Sequence, residues 1–181
     1  MYTSTLNQAR NSQWKMKWWH CIIIYVVANG ISLIPAGFNG DEAFYNNFLQ
    51  PSVAPPGWLF APVWLINNIT SLIALYIIVN LPRATPERGS IIMLEAISWI
   101  LYAAFALFYF GLKSPILGAI DTIIGLTLTI AAFVRCYRVS KKAALLVAPR
   151  LAWLLLATYV SVWIALYNGD VLFGTGAWLL R

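Results

Sequence analysis

Five long apolar runs dominate the chain, and the short segments between them carry most of its charge. The runs cover roughly residues 18–36, 58–81, 90–112, 115–136 and 143–167. A helix needs about 20 apolar residues to cross a hydrocarbon core. Backbone polar groups in lipid must be satisfied within the spanning structure, which leaves helices and closed barrels. Barrel strands are about ten residues long and alternate in polarity, and no such alternation occurs here. The pattern predicts an all-α membrane protein, a five-transmembrane-helix bundle at 18–169 with a structured loop between the first two helices. A polar, basic N-terminal extension at 1–17 precedes it. The stretch 170–181 is apolar but too short to span, and is expected at the interface with Trp178 as an anchor.

Local signals mark the ends of the runs. Trp18 and Trp19 suit the membrane interface, and Pro35 and Gly37 close the first run. Pro55-Pro56-Gly57 precede the second and Pro82 follows it. Thr85-Pro86-Glu87 reads as an N-cap with proline at the first helical position, and Ser114-Pro115 repeats that arrangement. Asn168-Gly169 ends the fifth run. The first run follows a polar start and lacks a small-residue cleavage site, so it reads as a retained span.

Composition sharpens the picture. Of 181 residues, 61% are apolar and only 10% charged, where soluble proteins average about 45–50% and 25%. Nine each of Trp, Tyr and Phe exclude a disordered chain. The net charge of +6 forms no basic stripe of the kind a nucleic acid needs. It reads instead as an address. Arg10, Lys15, Lys17, Arg83, Arg88, Arg135, Arg138, Lys141 and Lys142 fall on the N-terminal face, against Lys113 and Arg181 on the other. The positive-inside rule then places the N-terminus on the cytoplasmic, or equivalent, face. Cys21 and Cys136 lie in or beside apolar runs, outside any CxxC, and read as small hydrophobes.

Polar residues inside spans are costly and face partners or cavities. Glu95 and Arg150 both lie roughly 8–10 Å in from the basic face, at about 1.5 Å per residue, so an ion pair between them is expected. It serves as a gate or ligand anchor on one reading, and as a structural pair on the other. Asp121 enters from the opposite face. Either it lines a pocket or it joins a helix contact beside the small-residue stripe Ser114, Gly118, Thr122, Gly125 and Thr129. Tyr102, Phe105 and Tyr109 share one helical face. With Trp153 and Ala157 on the fifth span they suit a flat aromatic cavity. The connection 37–56, with Phe44, Tyr45 and Phe48, is too aromatic for a plain linker and is expected to pack back as a lid. His20 is the sole histidine. No HExxH, P-loop, GxGxxG or nucleophile elbow occurs, so neither catalytic residues nor metal ligands are assigned.

The loop and second span read Phe44-Tyr45-Asn46-Asn47-Phe48-Leu49-Gln50-Pro51-Ser52-Val53-Ala54-Pro55-Pro56-Gly57-Trp58, then Phe60 and Trp64. This resembles the TspO/MBR family (tryptophan-rich sensory protein, translocator protein), with its aromatic-Tyr pair, Pro-x-Trp-x-Pro-Pro and early Trp in helix two. Phe108-Tyr109-Phe110-Gly111-Leu112-Lys113, Asp121, Pro149, Trp153 and Ala157-Thr158-Tyr159 extend the likeness over residues 20–168. The resemblance implies a bundle, often a homodimer, with a pocket beneath the first loop that binds a small hydrophobic ligand, a porphyrin or other tetrapyrrole, and requires no cofactor. By position the pocket would involve Tyr45, Pro51, Pro55, Pro56, Trp64, Tyr102, Phe105, Tyr109, Asp121, Thr122, Trp153 and Ala157. The alternatives are an accessory structural subunit of a membrane complex and a tetrapyrrole-modifying enzyme. Three features depart from the family. Val53 replaces the loop Trp tied to light-driven porphyrin breakdown, Tyr102 replaces the usual Asn, and Val160, Ser161 and Val162 lack the basic residue that completes the sterol motif after Tyr159.

Overall fold

A computed structural model describes residues 15–36 and 42–179. Helix α1 (Trp18–Ala36) leads to the short loop helix α2 (Glu42–Asn46). A 3-10 turn (Gly57–Leu59) then enters α3 (Phe60–Val79). Helix α4 (Arg88–Ala106) ends in a π-helical turn (Leu107–Gly111). Helices α5 (Pro115–Val139) and α6 (Lys141–Tyr167) complete the regular helices among the described residues. Five of these helices are long and apolar enough to cross a membrane, and the described residues contain no strand beyond one isolated bridge, Asp170–Thr175. The fold is therefore the expected all-α membrane bundle.

The bundle is closely packed at its basic end. Ala74, Ile78, Ile91, Cys136, Ala143, Ala144 and Val147 pack there almost without exposure, and Cys136 serves as one more small apolar contact. Small side chains on α3, α5 and α6 let these helices approach closely where lipid supplies no hydrophobic drive between helices, and Ile91 of α4 packs against them. Ser140 alone joins α5 to α6. Its N–H bonds the Cys136 carbonyl at 2.7 Å, and its hydroxyl accepts from Ala143 N at 3.3 Å. Both helices thus run beyond their apolar cores and take in Arg135, Arg138, Lys141 and Lys142, whose long stems let charge reach the interface.

The start of α4 differs from the sequence expectation. Pro86 is not its first helical residue, and Thr85 does not cap it. Thr85 N bonds the Pro82 carbonyl at 2.9 Å in a turn, and the helix begins at Arg88 behind Glu87, which has φ 63°. Competing charge contacts explain the shift. Glu87 pairs with Arg135 at 3.1 Å, while Arg88 donates to the Val79 carbonyl at 2.7 Å, tying the α3–α4 turn to the end of α5. The Ser114 cap is present as expected, its hydroxyl accepting from Leu117 N at 3.1 Å.

At the opposite end the tail folds back over the bundle. Asp170, 3% exposed, accepts from the Ser114 hydroxyl at 2.7 Å and from Ile116 N at 2.9 Å, and its other oxygen accepts from Phe173 N at 3.1 Å. A carboxylate at the start of α5 satisfies free N–H groups and complements the helix dipole. Trp178 N and Leu179 N both bond the Leu166 carbonyl, and the Trp178 side chain stays exposed. Replacing Asp170→Ala strands a buried hydroxyl and a helix N–H, at a cost of about 1–3 kcal/mol. Thermal unfolding in detergent should show the loss, with Asp170→Asn, which keeps an acceptor, losing less.

Candidate functional site: a cavity beneath the loop

The loop after α1 packs down on the bundle. Tyr45, on α2, is buried, and its hydroxyl donates to the Pro55 carbonyl at 2.9 Å. Burial pushes that phenol above its ordinary titration range. Its ring meets Phe60 edge-on with centroids 5.2 Å apart, and Gln50 Nε2 donates to the Tyr45 carbonyl at 2.6 Å. Farther along, Asn168 at the end of α6 holds Leu49 from both sides, accepting its N–H at 2.8 Å and donating to its carbonyl at 3.0 Å. Phe44 and Phe48 lie against Tyr109, and the Lys113 ammonium sits 4.5 Å from the Phe44 ring centroid. The segment 42–56 is thus bolted to three helices.

Below this lid lies a cavity of about 510 Å³, within the range of small-molecule sites. Helix α4 supplies one wall. Trp64 on α3 packs on Tyr102 at 5.0 Å, and Phe105 stacks on Tyr109 at 5.4 Å with their planes 11° apart. The π turn closes the wall, with Leu112 N bonding the Leu107 carbonyl at 2.8 Å. Phe60 meets Trp153 edge-on at 5.3 Å on the facing side. Helix α5 contributes Asp121, Thr122, Gly125 and Thr129, the stretch that carries the small-residue stripe. There the Thr158 hydroxyl donates to the Thr122 carbonyl at 3.2 Å, and Gly118 accommodates the Tyr109 ring.

The expected residues divide clearly. Tyr45, Pro55, Trp64, Tyr102, Phe105, Tyr109, Asp121, Thr122, Trp153 and Ala157 all line this one cavity. Pro51 and Pro56 do not. Pro51 is buried in the loop, where its carbonyl accepts Ala54 N at 2.9 Å, and exposed Pro56 opens the 3-10 turn, accepting Leu59 N at 3.0 Å. Both shape the loop from outside the cavity. The lining also takes in Phe60, Ser98, Trp99, Thr129 and Ser161, which the site reading passed over. Helical spacing was the usable signal, since Ser98 lies one turn before Tyr102 and Ser161 one turn after Ala157.

Several polar groups in this largely apolar chamber lack a partner among the described residues. Asp121 is 7% exposed, and its Oδ1 has no hydrogen-bond partner among the described residues. The same holds for the Tyr109 hydroxyl and the indole nitrogens of Trp99 and Trp153. Arg150 and Glu95 form the expected pair, with Nη1 to Oε2 at 2.9 Å and Nη2 to Oε1 at 2.5 Å. Arg150 lines the cavity. The arrangement suits a flat apolar body held by aromatic faces and oriented by a handful of buried polar atoms. Among the described residues, no group of three His, Cys, Asp or Glu could hold a metal ion.

Comparison with known proteins gives a family. The TspO/MBR family model matches residues 21–167. The chain belongs to the TspO/MBR family. Relatives named Tryptophan-rich protein TspO include one from Chlorobaculum tepidum, 35% identical over 128 residues, covering 69% of this chain and 79% of the relative. Another, from Archaeoglobus fulgidus, is 29% identical over 153 residues, with 81% and 98% covered. A third, from Bacillus cereus, is 26% identical over 141 residues, with 77% and 91% covered. The family match takes in every helical segment that walls the cavity, Ser32 and Leu33 of α1 included, together with its lid.

Gly118 tests the packing of this TspO/MBR site. A Cβ there would lie 2.6 Å from Tyr109 Cδ2, and Phe44 and Phe105 hem that ring in. Gly118→Ala should therefore cost about 1–3 kcal/mol through overpacking, read as a lowered melting temperature in detergent, with Gly30→Ala, where nothing lies within 4 Å, as the tolerated control.

Proposed function

We propose that this TspO/MBR membrane protein, one of the sensor and translocator kind, binds a planar hydrophobic ligand in the cavity beneath the loop, a porphyrin or other tetrapyrrole. The observation that supports the reading is the aromatic chamber of about 510 Å³ under a lid fastened at Tyr45–Pro55 and Leu49–Asn168. Aromatic faces offer large contact area at low entropic cost to a flat ring system. The lid keeps water from that contact, and its two fastenings set how readily the ligand enters and leaves.

Trp64, Trp99 and Trp153 surround the cavity, so a bound porphyrin should quench their fluorescence saturably in detergent. Trp153→Ala should weaken binding about tenfold by removing one aromatic face. Tyr45→Phe, which keeps the ring and loses the hydrogen bond to Pro55, should weaken it by a few fold. A folded protein showing no saturable quenching would refute the reading.

We further propose that the N-terminus lies on the cytoplasmic, or equivalent, face. Support comes from the basic residues gathered where α1 begins and where the α3–α4 and α5–α6 turns lie. In a Cys21→Ala/Cys136→Ala background, Lys142→Cys should react with a membrane-impermeant maleimide only after permeabilisation. Val171→Cys, at the other end, should react in intact cells.

A further inference from the structure

The buried ion pair does more than neutralise itself. Glu95 is 1% exposed and takes no part in the cavity wall, whereas Arg150, 6% exposed, lies in that wall one turn before Trp153. The pair therefore turns its cationic member toward the chamber and its anionic member toward the protein. Both Arg150 contacts to Glu95 use the terminal nitrogens Nη1 and Nη2. A guanidinium carries five N–H donors in a rigid plane. The end-on grip of Glu95 leaves a second edge, formed by Nε–H and one remaining terminal N–H, and Nε has no partner among the described residues. That second edge is a fork of the shape that receives a carboxylate in two parallel bonds.

Other unpaired, buried donors belong to residues of the same wall. Thr129 and Arg150 lie eleven residues before and ten residues after Ser140, the residue joining their antiparallel helices, so they share a depth. The Thr129 hydroxyl is buried without a partner, as are the indole N–H groups of Trp99 and Trp153, and all three residues line the cavity. Buried donors without acceptors are rare because each forfeits its hydration. A buried pair kept only for stability is usually no better than an apolar replacement, which makes a role toward the chamber the economical explanation.

We propose that Arg150 is a carboxylate anchor, so that the cavity selects planar apolar ligands bearing a carboxylate. Glu95 is its positioning residue, gripping the guanidinium end-on and leaving the Nε edge for the ligand, which reaches it by a small shift of the side chains that now bury it. Glu95, Arg150 and the ligand carboxylate together carry one net negative charge, which the Thr129, Trp99 and Trp153 donors solvate in place of water. The proposal rests on the reading of this cavity as the site of a planar hydrophobic ligand, and adds to it the head group.

Protoporphyrin, a planar dicarboxylate, and its dimethyl ester test it by Trp quenching at one fixed detergent concentration. The acid-to-ester affinity ratio is compared between proteins, so that partition into detergent cancels. In Glu95→Gln/Arg150→Gln, which leaves no orphaned buried charge, the ratio should fall about tenfold, the worth of one charge-assisted contact. Arg150→Lys keeps a cation beside Glu95 and loses the planar fork, so its ratio should fall by less; it also serves if the double variant fails to fold. An unchanged ratio in the folded variants overturns the anchor while leaving the cavity reading intact. Absence of saturable binding by either porphyrin overturns both.

Discussion

Lipid offers no hydrogen bonds, and this constraint orders the whole bundle. Every backbone amide in the five spans must close its bond within its own helix, and each helix end must find a partner from outside it. The ends show how. Ser140 caps two helices at once, Arg88 reaches a carbonyl at the end of α3, and Asp170 returns from the tail to serve α5. Against that accounting, six of the thirteen buried polar side-chain atoms without a hydrogen-bond partner among the described residues belong to the wall of one chamber. Asp121, Tyr109, Trp99, Trp153, Thr129 and Arg150 all contribute both an unpaired atom and a place in its wall.

The two ends of the bundle solve different packing problems. At the basic end, alanines, Ile78, Ile91, Val147 and Cys136 bring four helices together with almost no exposed side-chain surface. Toward the lid the contacts pass to large rings. Tyr45, Tyr109, Val160 and Ile164 form the buried centre there, with Phe44, Phe48, Phe60 and Phe105 around them. Rings meeting edge-on hold helices apart as firmly as alanines let them close, and the chamber is the space so kept. Helix α1 stands at the margin. Ile22, Ile23, Val26 and Ile34 on it are exposed, as lipid-facing residues should be, while Ala28 packs against Leu72, Trp99 and Ala103, and Asn29 accepts from the Tyr102 hydroxyl at 2.7 Å.

What the sequence makes legible follows from the range of each interaction. The spans are legible because length and apolarity suffice when the backbone has to satisfy itself. The Glu95–Arg150 pair is legible because both helices start at the same face, so distance along the chain converts to depth. Tyr102, Phe105 and Tyr109 are legible as one face from spacing alone. The false cap at Thr85-Pro86 looked sound locally and lost to the contacts of Glu87 with Arg135 and of Arg88 with Val79, partners that a local motif does not contain. Asp170 was invisible for the same reason, since its partners Ser114 and Ile116 lie more than fifty residues upstream. Pro51 and Pro56 carry the family spacing yet act through the loop backbone, a division that needs the loop's own path.

The lid and the chamber share their supports, which couples access to occupancy. Tyr109 stacks on Phe105 inside the chamber and receives Phe44 and Phe48 from the loop outside it. It stands on the π turn, the one place where α4 departs from α-helical bonding, and rests over Gly118, where no side chain resists it. Lys113, at φ 53°, ends that turn and lies over Phe44. A ligand pressing on the Phe105–Tyr109 stack therefore pushes on the same ring that seats the loop. Loosening the loop in turn removes two of the rings that hold the stack. One aromatic side chain on an irregular turn is thus common to the wall and the lid, and neither can shift far without the other.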